Sequence, residues 1–419
     1  MKKLIDYIKR FPMIVILIII LLFFTPLAVF SPGENRNRGV VTAIGLDFVD
    51  NEYEVSLLTF IPTANQTYKQ KNSVISGKGK SVVDAISKAS IAMGRDVGLA
   101  HAKTTVVSES MLAEDIAESL SLLAHIASLP ENTVFVCTNT SAKEMLQNSQ
   151  NLVDELGLQL EQVISYNANE LYVTDTSLEA FYKGYYSFLK SSLIGYIPLI
   201  DSEDTNTDSS VSSSQNTDTS QQEVQGDSSP QGGAQSSQSK KKILNEGEAV
   251  LLKSGKMVEK LSTYQLSGIN LLNPKDLNQL IKINDVNLNG SIMDLTYRLK
   301  DKKVLTTTKF ENGYPVFYAK LILSVELVET EGADENTKSN TEYSEITPEI
   351  ANKIEEQINK KYVTAVNLLR KNGTDVIGVT SKFFRNNRKD YKKFIENHDT
   401  PDNFIKYVTF KLTTVVQPD

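Results

Sequence analysis

The sequence predicts an α/β (α+β) multidomain protein, with mixed sheets each packed on helices and one N-terminal transmembrane helix in front of them. Three observations lead to this prediction. Strand-like and helix-like segments alternate through the first half of the chain, alternating strands dominate part of the second half, and the N-terminal region contains one uncharged apolar segment. The 419 residues are enough for two or three domains with their own cores.

The uncharged segment, residues 11–30, has the ~20-residue length that a helix needs to cross the hydrocarbon core of a membrane. Because Lys9 and Arg10 precede it, residues 1–10 are predicted to stay in the cytoplasm and the rest of the chain to lie outside. A cleaved signal peptide shares these features, but no A-x-A-like cleavage site follows. We expect a retained membrane anchor bounded by Phe11 and Phe30.

The predicted first domain spans residues 31–200 and begins with a β-hairpin. Residues 39–47 and 52–61 have the pattern of strands, and Asp50-Asn51 supplies the turn between them. A short strand at 73–76 leads into a helix. The apolar face of that helix consists of Val82, Ile86, Ala89 and Met93.

Strands and helices then alternate to the end of this domain. Strands are predicted at 104–107 and 134–138, with an amphipathic helix between them. Capping boxes that begin at Ser141 and Thr176 each predict the start of a helix, and the second of these helices is expected to end near Gly195.

Residues 201–242 mark the clearest boundary in the chain. This segment consists mostly of Ser, Gln, Asp, Thr, Asn and Gly, with almost no large apolar residue. Such a composition cannot bury enough surface to offset the entropy of ordering. We therefore predict a disordered linker here.

The predicted middle domain, residues 243–345, is rich in antiparallel sheet. Turns are predicted at Ser254-Gly255, at 301–303 and at Asn312-Gly313, of which Asn-Gly is a strong hairpin signal. The strands that these turns separate are predicted at 248–252, 257–261, 285–289, 291–299, 304–310 and 314–328.

The predicted C-terminal domain, residues 346–419, has a helix-helix-strand pattern and is expected to pack on the middle domain. Thr347 caps the first helix, with Pro348 at its first position, and Asn372-Gly373 ends it. A second, basic helix is predicted over 381–395, followed by a terminal strand.

Six cations form a cluster on the predicted basic helix: Lys382, Arg385, Arg388, Lys389, Lys392 and Lys393. One interpretation is a solvated cationic surface. The other is contact with anionic lipid headgroups or a partner, because the anchor keeps this domain near a bilayer. A nucleic-acid partner is not expected, because the chain has a formal net charge of −7 and the domain is predicted to be extracytoplasmic.

The sequence proposes no catalytic, cofactor or metal site. Gly79-Lys80-Ser81 lacks the first glycine of a phosphate-binding loop, since Val74 stands in its place. Cys137 is the single cysteine and lies in an apolar run, which predicts a buried thiol. The histidines have no metal-ligand spacing: His101, His125 and His398.

Several segments, taken in their order and spacing, resemble the Ger(x)C family, the C subunits of the nutrient-germinant receptors of endospore-forming bacteria. The match that they indicate extends over nearly all of the chain after residue 38 except the linker. The segments are 39–47, 77–93, 101–108, 196–198, 247–256 and 374–378.

This resemblance implies a non-enzymatic, membrane-anchored subunit that acts with the A and B membrane subunits in the spore inner membrane. Its expected role is germination signalling or receptor assembly. Typical members carry a lipid-modified cysteine after the signal segment, but residues 31–38 contain none, so no lipidation is predicted and the helix must serve as the anchor. The alternative is an exported, anchored binding module or an envelope enzyme unrelated to germination.

Overall fold

The computed structural model describes residues 38–61, 71–152, 176–201, 242–244, 248–273, 279–288, 291–331, 346–398 and 401–418. The predicted anchor lies outside these ranges, as does nearly all of the predicted linker. Within them, the helices are too short or too polar to cross a membrane.

The strands, in chain order, are β1 (Arg38–Val49), β2 (Glu52–Ile61), β3 (Lys71–Gly79), β4 (Asp96–Gly98), β5 (Thr104–Ser108), β6 (Val134–Thr138), β7 (Ser191–Tyr196), β8 (Leu199–Asp201), β9 (Lys242–Leu244), β10 (Glu248–Lys253), β11 (Lys256–Leu261), β12 (Leu280–Leu288), β13 (Ser291–Glu311), β14 (Tyr314–Glu331) and β15 (Thr409–Pro418). The helices are α1 (Val82–Met93), α2 (Ala117–Ala127), α3 (Ala142–Leu152), α4 (Leu178–Tyr185), α5 (Thr263–Asn270), α6 (Pro348–Asn372), α7 (Val379–Asn386), α8 (Arg388–His398) and α9 (Phe404–Tyr407).

A nine-stranded mixed sheet organises the first part of the chain. Its order is β11-β10-β7-β6-β5-β1-β2-β3, and β4 pairs with β1. One face carries α1, α2 and α4, whose buried residues share a core with those of β1, β2 and β5. On the other face, Ala142, Met145 and Leu146 of α3 pack against Val106 and Val136. The first sheet is therefore covered by helices on both sides.

A four-stranded sheet, β12-β13-β14-β15, organises the second part. Its β14–β15 pair is parallel, and the other pairs are antiparallel. Helix α6 covers one face through Ile350, Ile354 and Ile358, which alternate with polar residues at helical spacing. The mixed α/β architecture with sheets packed on helices is confirmed.

Two elements from beyond the predicted linker contribute to the first sheet or pack against it. Strand β10 lies beyond the predicted linker but pairs with β7, from Glu248 opposite Tyr196 to Lys253 opposite Ser191. The C-terminal end of α6 packs through Leu368 onto a core that contains Leu251 of β10. The predicted middle-domain border at 243 therefore does not separate the strands of one sheet from those of the other.

Several local predictions are confirmed. The Asp50-Asn51 turn has positive φ at both positions, as its hairpin requires, and so does the turn at Asn312-Gly313. Thr347 caps α6 by accepting a hydrogen bond from the N–H of Ile350, and Gly373 ends the helix with φ 61°.

The predicted helix from Thr176 to Gly195 is wrong in its second half. Ser177 caps α4, which ends at Tyr185, and the chain then turns at Lys190 with φ 47° into β7. The segment from Ser191 to Tyr196 hydrogen-bonds on one side to β6 and on the other to β10. Those sheet contacts come from residues distant in sequence, and they outweigh the local helical spacing.

The predicted turn at 301–303 is also wrong, because β13 runs unbroken through it. The register slips between Leu299 and Asp301, which is the signature of a bulge. The bulge turns Lys302 inward, where its Nζ donates a 2.8 Å hydrogen bond to the carbonyl oxygen of Asn270. A charged triplet that looked like a turn thus connects β13 to the end of α5.

The predicted basic helix over 381–395 is two helices, α7 and α8, which meet at Asn387. Its backbone has φ −129° and ψ 43°, outside the helical region, and its Oδ1 accepts a 2.6 Å hydrogen bond from Thr308 of β13. Helix α5 was not predicted, although Ser262 and Gln265 form the capping box that opens it.

Candidate functional site

The candidate site is a cavity of about 470 Å³ where strand β7 of the first sheet meets elements from the second half of the chain. Its walls come from α4, β7 and α5 and from the segment 375–378 that joins α6 to α7. This volume lies within the range of small-molecule sites, about 300–1,000 Å³. The cavity is thus lined by elements from both halves of the chain.

Asp375 lies in the wall of this cavity and is 5% exposed. Its two carboxylate oxygens accept hydrogen bonds from the N–H groups of Val379, at 2.9 Å, and Thr380, at 2.6 Å, at the start of α7. Its own N–H donates a 3.0 Å bond to Oγ of Ser191 in β7. One residue thus caps a helix of the second part and holds a strand of the first sheet.

The surroundings of Asp375 act on the pKa of its carboxyl group in two opposite directions. Burial raises the pKa of the carboxyl group above its ordinary value, although the N–H groups at the start of α7 act in the opposite direction. Gly378 precedes α7 with φ 72°, a conformation that suits glycine and brings the N–H groups back toward the carboxylate.

Lys382, one of the predicted surface cations, lies on the cavity wall. Its Nζ donates a 3.0 Å hydrogen bond to Oγ1 of Thr306 and lies 5.6 Å from the centre of the Phe317 ring. Burial lowers the pKa of this amine, while the charge of Asp375 partly restores it. The structure therefore separates Lys382 from the basic cluster.

The other five predicted cations remain exposed, on two helices instead of one. Arg385 lies on α7, and the other four lie on α8. Arg388 stacks on the Phe384 ring at 5.3 Å. Beneath them, Tyr391 and Phe394 are buried in an aromatic core. The packing fixes the backbone of α8 and leaves its lysines in solvent: Lys389, Lys392 and Lys393.

A second buried carboxylate, Asp47, ends the family-like segment 39–47. It accepts hydrogen bonds from the N–H groups of Ala142, at 2.8 Å, and Lys143, at 3.1 Å. Burial raises its pKa, and these bonds oppose that effect. Nearby, Lys143 forms a 2.7 Å ion pair with Glu54. These contacts attach α3 to the first sheet and indicate a structural role.

The other residues that the sequence singled out as possible sites are buried or take part in contacts that hold the fold together. Ser81 caps α1, and Lys80 pairs with Glu52 at 3.4 Å, so this strand-to-helix turn is part of the fold. Cys137 is fully buried, and burial raises its pKa. Among the described residues, no three His, Cys, Asp or Glu side chains gather as metal ligands would.

Sequence reasoning missed the central role of Asp375, although it singled out the segment 374–378. Capping rules look for an acceptor three residues before its helix partner, whereas Asp375 bonds to residues four and five positions later. No sequence signal identifies Ser191 as its partner, because that contact spans 184 positions.

Comparisons with known proteins cover both parts of the chain. Residues 34–201 match a family model described as the N-terminal domain of spore germination proteins. Residues 246–417 match one described as spore germination B3/GerAC like, C-terminal. A solved structure titled "Crystal Structure of the GerBC protein" has 14% identity and a TM-score of 0.46, covering 90% of this chain and 96% of that one. No curated protein matches the chain.

The two family models together define a spore germination protein with both of its characteristic domains. The chain belongs to the Ger(x)C family, as the resemblance of its motifs predicts.

Proposed function

We propose that this protein is a non-catalytic subunit of a nutrient-germinant receptor, anchored in the spore inner membrane and acting with the A and B membrane subunits. The observation that carries the proposal is the match of both family domains, 34–201 and 246–417, on one chain. Its role is receptor assembly or signalling.

The contacts between the sheets suit a subunit that transmits force or holds partners. Strand β10, helix α6 and the Asp375–Ser191 hydrogen bond each cross from one part to the other. Because buried cores resist deformation, a partner bound to one sheet would displace the other with it. This rigidity supports a scaffold role.

The anchor is part of the proposal. Residues 11–30 are apolar and uncharged, and no cysteine follows them before residue 38. Mass spectrometry of the mature protein should find an N-terminus at Met1 or Lys2 with no acyl group. A mature N-terminus near Ser31 would contradict a retained helix.

We further propose that the exposed lysines of α8 contact anionic lipid headgroups. Lys389, Lys392 and Lys393 are exposed over an aromatic base that holds their helix in place. In this test the anchor is cut off at an engineered protease site and the detergent is removed. The variant in which all three lysines are exchanged for Glu should then float less with phosphatidylglycerol vesicles than the original protein does. Equal flotation of the variant and the original protein would contradict lipid contact.

The receptor role is tested in spores. Deleting the gene should slow nutrient-triggered germination and leave sporulation intact, and the protein should fractionate with the inner membrane. Affinity purification of the unaltered chain should recover the A and B subunits. Normal germination in a strain without paralogous receptors would contradict the proposal.

A further inference from the structure

The second sheet has two unlike faces in its β13–β15 region. Side chains on the inner face, such as Phe317 and Ala319, are buried against the helices. Residues that alternate with them point the other way, and Leu305 on that side is 45% exposed. We call this side the outer sheet face. Its central residues are Lys303, Leu305, Lys309, Lys320, Ile322 and Val415.

Strand register places apolar and cationic side chains of the outer sheet face next to one another. Lys303 lies opposite Ile322, and Ile322 lies opposite Val415. In the next row, Leu305 lies opposite Lys320. Side chains directly opposite each other are about 5 Å apart, so the two rows form one continuous patch. In this patch Leu305, Ile322 and Val415 run diagonally across the three strands, beside Lys303 and Lys320.

Most lysines elsewhere on this sheet have acidic partners. Lys282 pairs with Glu331 at 2.8 Å, and Lys300 pairs with Glu326 at 2.7 Å. In contrast, Lys303, Lys309 and Lys320 form no ion pair with any described carboxylate, although the charge of Lys309 acts on Glu311 from a longer distance. The outer sheet face is thus locally basic in a chain whose formal net charge is −7.

We propose that the outer sheet face docks an acidic protein surface that also carries apolar side chains and belongs to another subunit of the receptor. This inference rests on the proposed function. Exposed apolar side chains beside lysines without acidic partners suit a protein–protein contact, and complementary charge favours an acidic partner. A protein fits better than a bilayer, because Ile322 and Val415 are only half exposed and do not project from the sheet.

The size of the patch indicates how it is used. Three strands about 4.8 Å apart and seven residues of about 3.3 Å each give roughly 300 Å². Stable interfaces bury about 800 Å² on each partner. The outer sheet face therefore contributes one contact among several, and its effect is expected in the assembled receptor.

The test uses the full chain purified with the A and B subunits from membranes. In one variant Lys303, Lys309 and Lys320 are exchanged together for Glu, and in the control the exposed lysines Lys88, Lys103 and Lys360, which lie outside the outer sheet face, are exchanged for Glu. Both variants change the net charge equally. The outer-face variant should lower recovery of the subunits about tenfold, and the control should leave it unchanged. Exchange for Gln at the same three outer-face positions should give an intermediate loss and a weaker dependence on salt.

Each outcome has one meaning. If the unaltered chain does not recover the A and B subunits, the proposed function fails. If it does, and the outer-face variant recovers them equally well, the docking surface is overturned. Equal losses in both variants also overturn it, because the effect would then be general charge. If the outer-face variant instead loses flotation on phosphatidylglycerol vesicles and keeps its subunits, the face contacts lipid. Circular dichroism of each variant verifies that the exposed substitutions leave the fold intact.

Discussion

Replacing Asp375 tests whether the contact between the sheets has the role assigned to it. In Asp375→Ala the N–H groups of Val379 and Thr380 lose their acceptor in a buried place. An unsatisfied buried donor costs about 1–3 kcal/mol, which gives about 2–6 kcal/mol for the pair. Relief of the buried charge offsets part of this, so we expect a loss of at least about 2 kcal/mol in the free energy of unfolding.

Asp375→Asn separates the hydrogen bonds from the charge. The amide oxygen still accepts one bond, and the cost of burying a charge disappears, so we expect a loss of only about 1 kcal/mol. Urea unfolding of the detergent-solubilised full chain, followed by circular dichroism, measures both variants. Asp390→Ala is the matched control, because Asp390 is an exposed acid in the first turn of α8. The reasoning is refuted if Asp375→Ala is no more destabilising than Asp390→Ala.

The pH dependence of the stability difference between the original protein and Asp375→Asn gives an independent check. Burial raises the pKa of Asp375 in the folded state above its ordinary 3.8, so folding favours the protonated form. The stability that this carboxyl contributes is fully present below pH 3.8 and is lost as the pH rises through the folded pKa. The difference in unfolding free energy between the original protein and Asp375→Asn should therefore fall with rising pH and then level off. A difference that grows over this range would contradict the burial argument.

Three further predictions concern the first sheet. A side chain at Gly77 would meet the backbone of α1, so Gly77→Ala should lower the unfolding free energy by about 1–3 kcal/mol or more, whereas Gly94→Ala, in open space, should cost about 1 kcal/mol from its φ alone. Lys143→Met removes the ion pair with Glu54 and should cost about 1–2 kcal/mol near neutral pH. Burial acts to raise the pKa of Glu54, but its lysine partners lower it below 4.5 overall, so this loss should shrink as the pH falls through the folded pKa. Cys137 should react with a maleimide only after unfolding in urea; labelling of the folded protein would contradict its burial.

Short-range signals predicted much of the fold. Hairpin turns such as Asn312-Gly313, caps such as Thr347 and the apolar spacing of α1 depend on neighbouring residues, so they can be recognised from sequence. The predictions were wrong where contacts between residues distant in sequence decide the structure. Strand β7 forms because β6 and β10 flank it. Lys302 points inward from its bulge, where its amine donates a hydrogen bond to the carbonyl oxygen of Asn270.

The candidate site was predictable only in part. The sequence drew attention to 374–378 and to Lys382 for different reasons, and nothing local indicated that both line one cavity. Lys382 has the same charge as its neighbours on α7 and α8, and only the packing of α7 against β13 makes it a wall residue. Similarly, the neighbouring strands decide whether a lysine of the outer sheet face has an acidic partner, and the local sequence does not indicate this.

The pairing of β10 with β7 has a consequence for how the chain can be divided. Because β10 lies between β7 and β11, the first sheet is complete only after residue 261 has been made. A fragment ending at residue 201 would leave β7 with an open edge, and such edges promote aggregation. Conversely, a protease site engineered between residues 202 and 241 should produce two pieces that copurify, held together by the sheet they share.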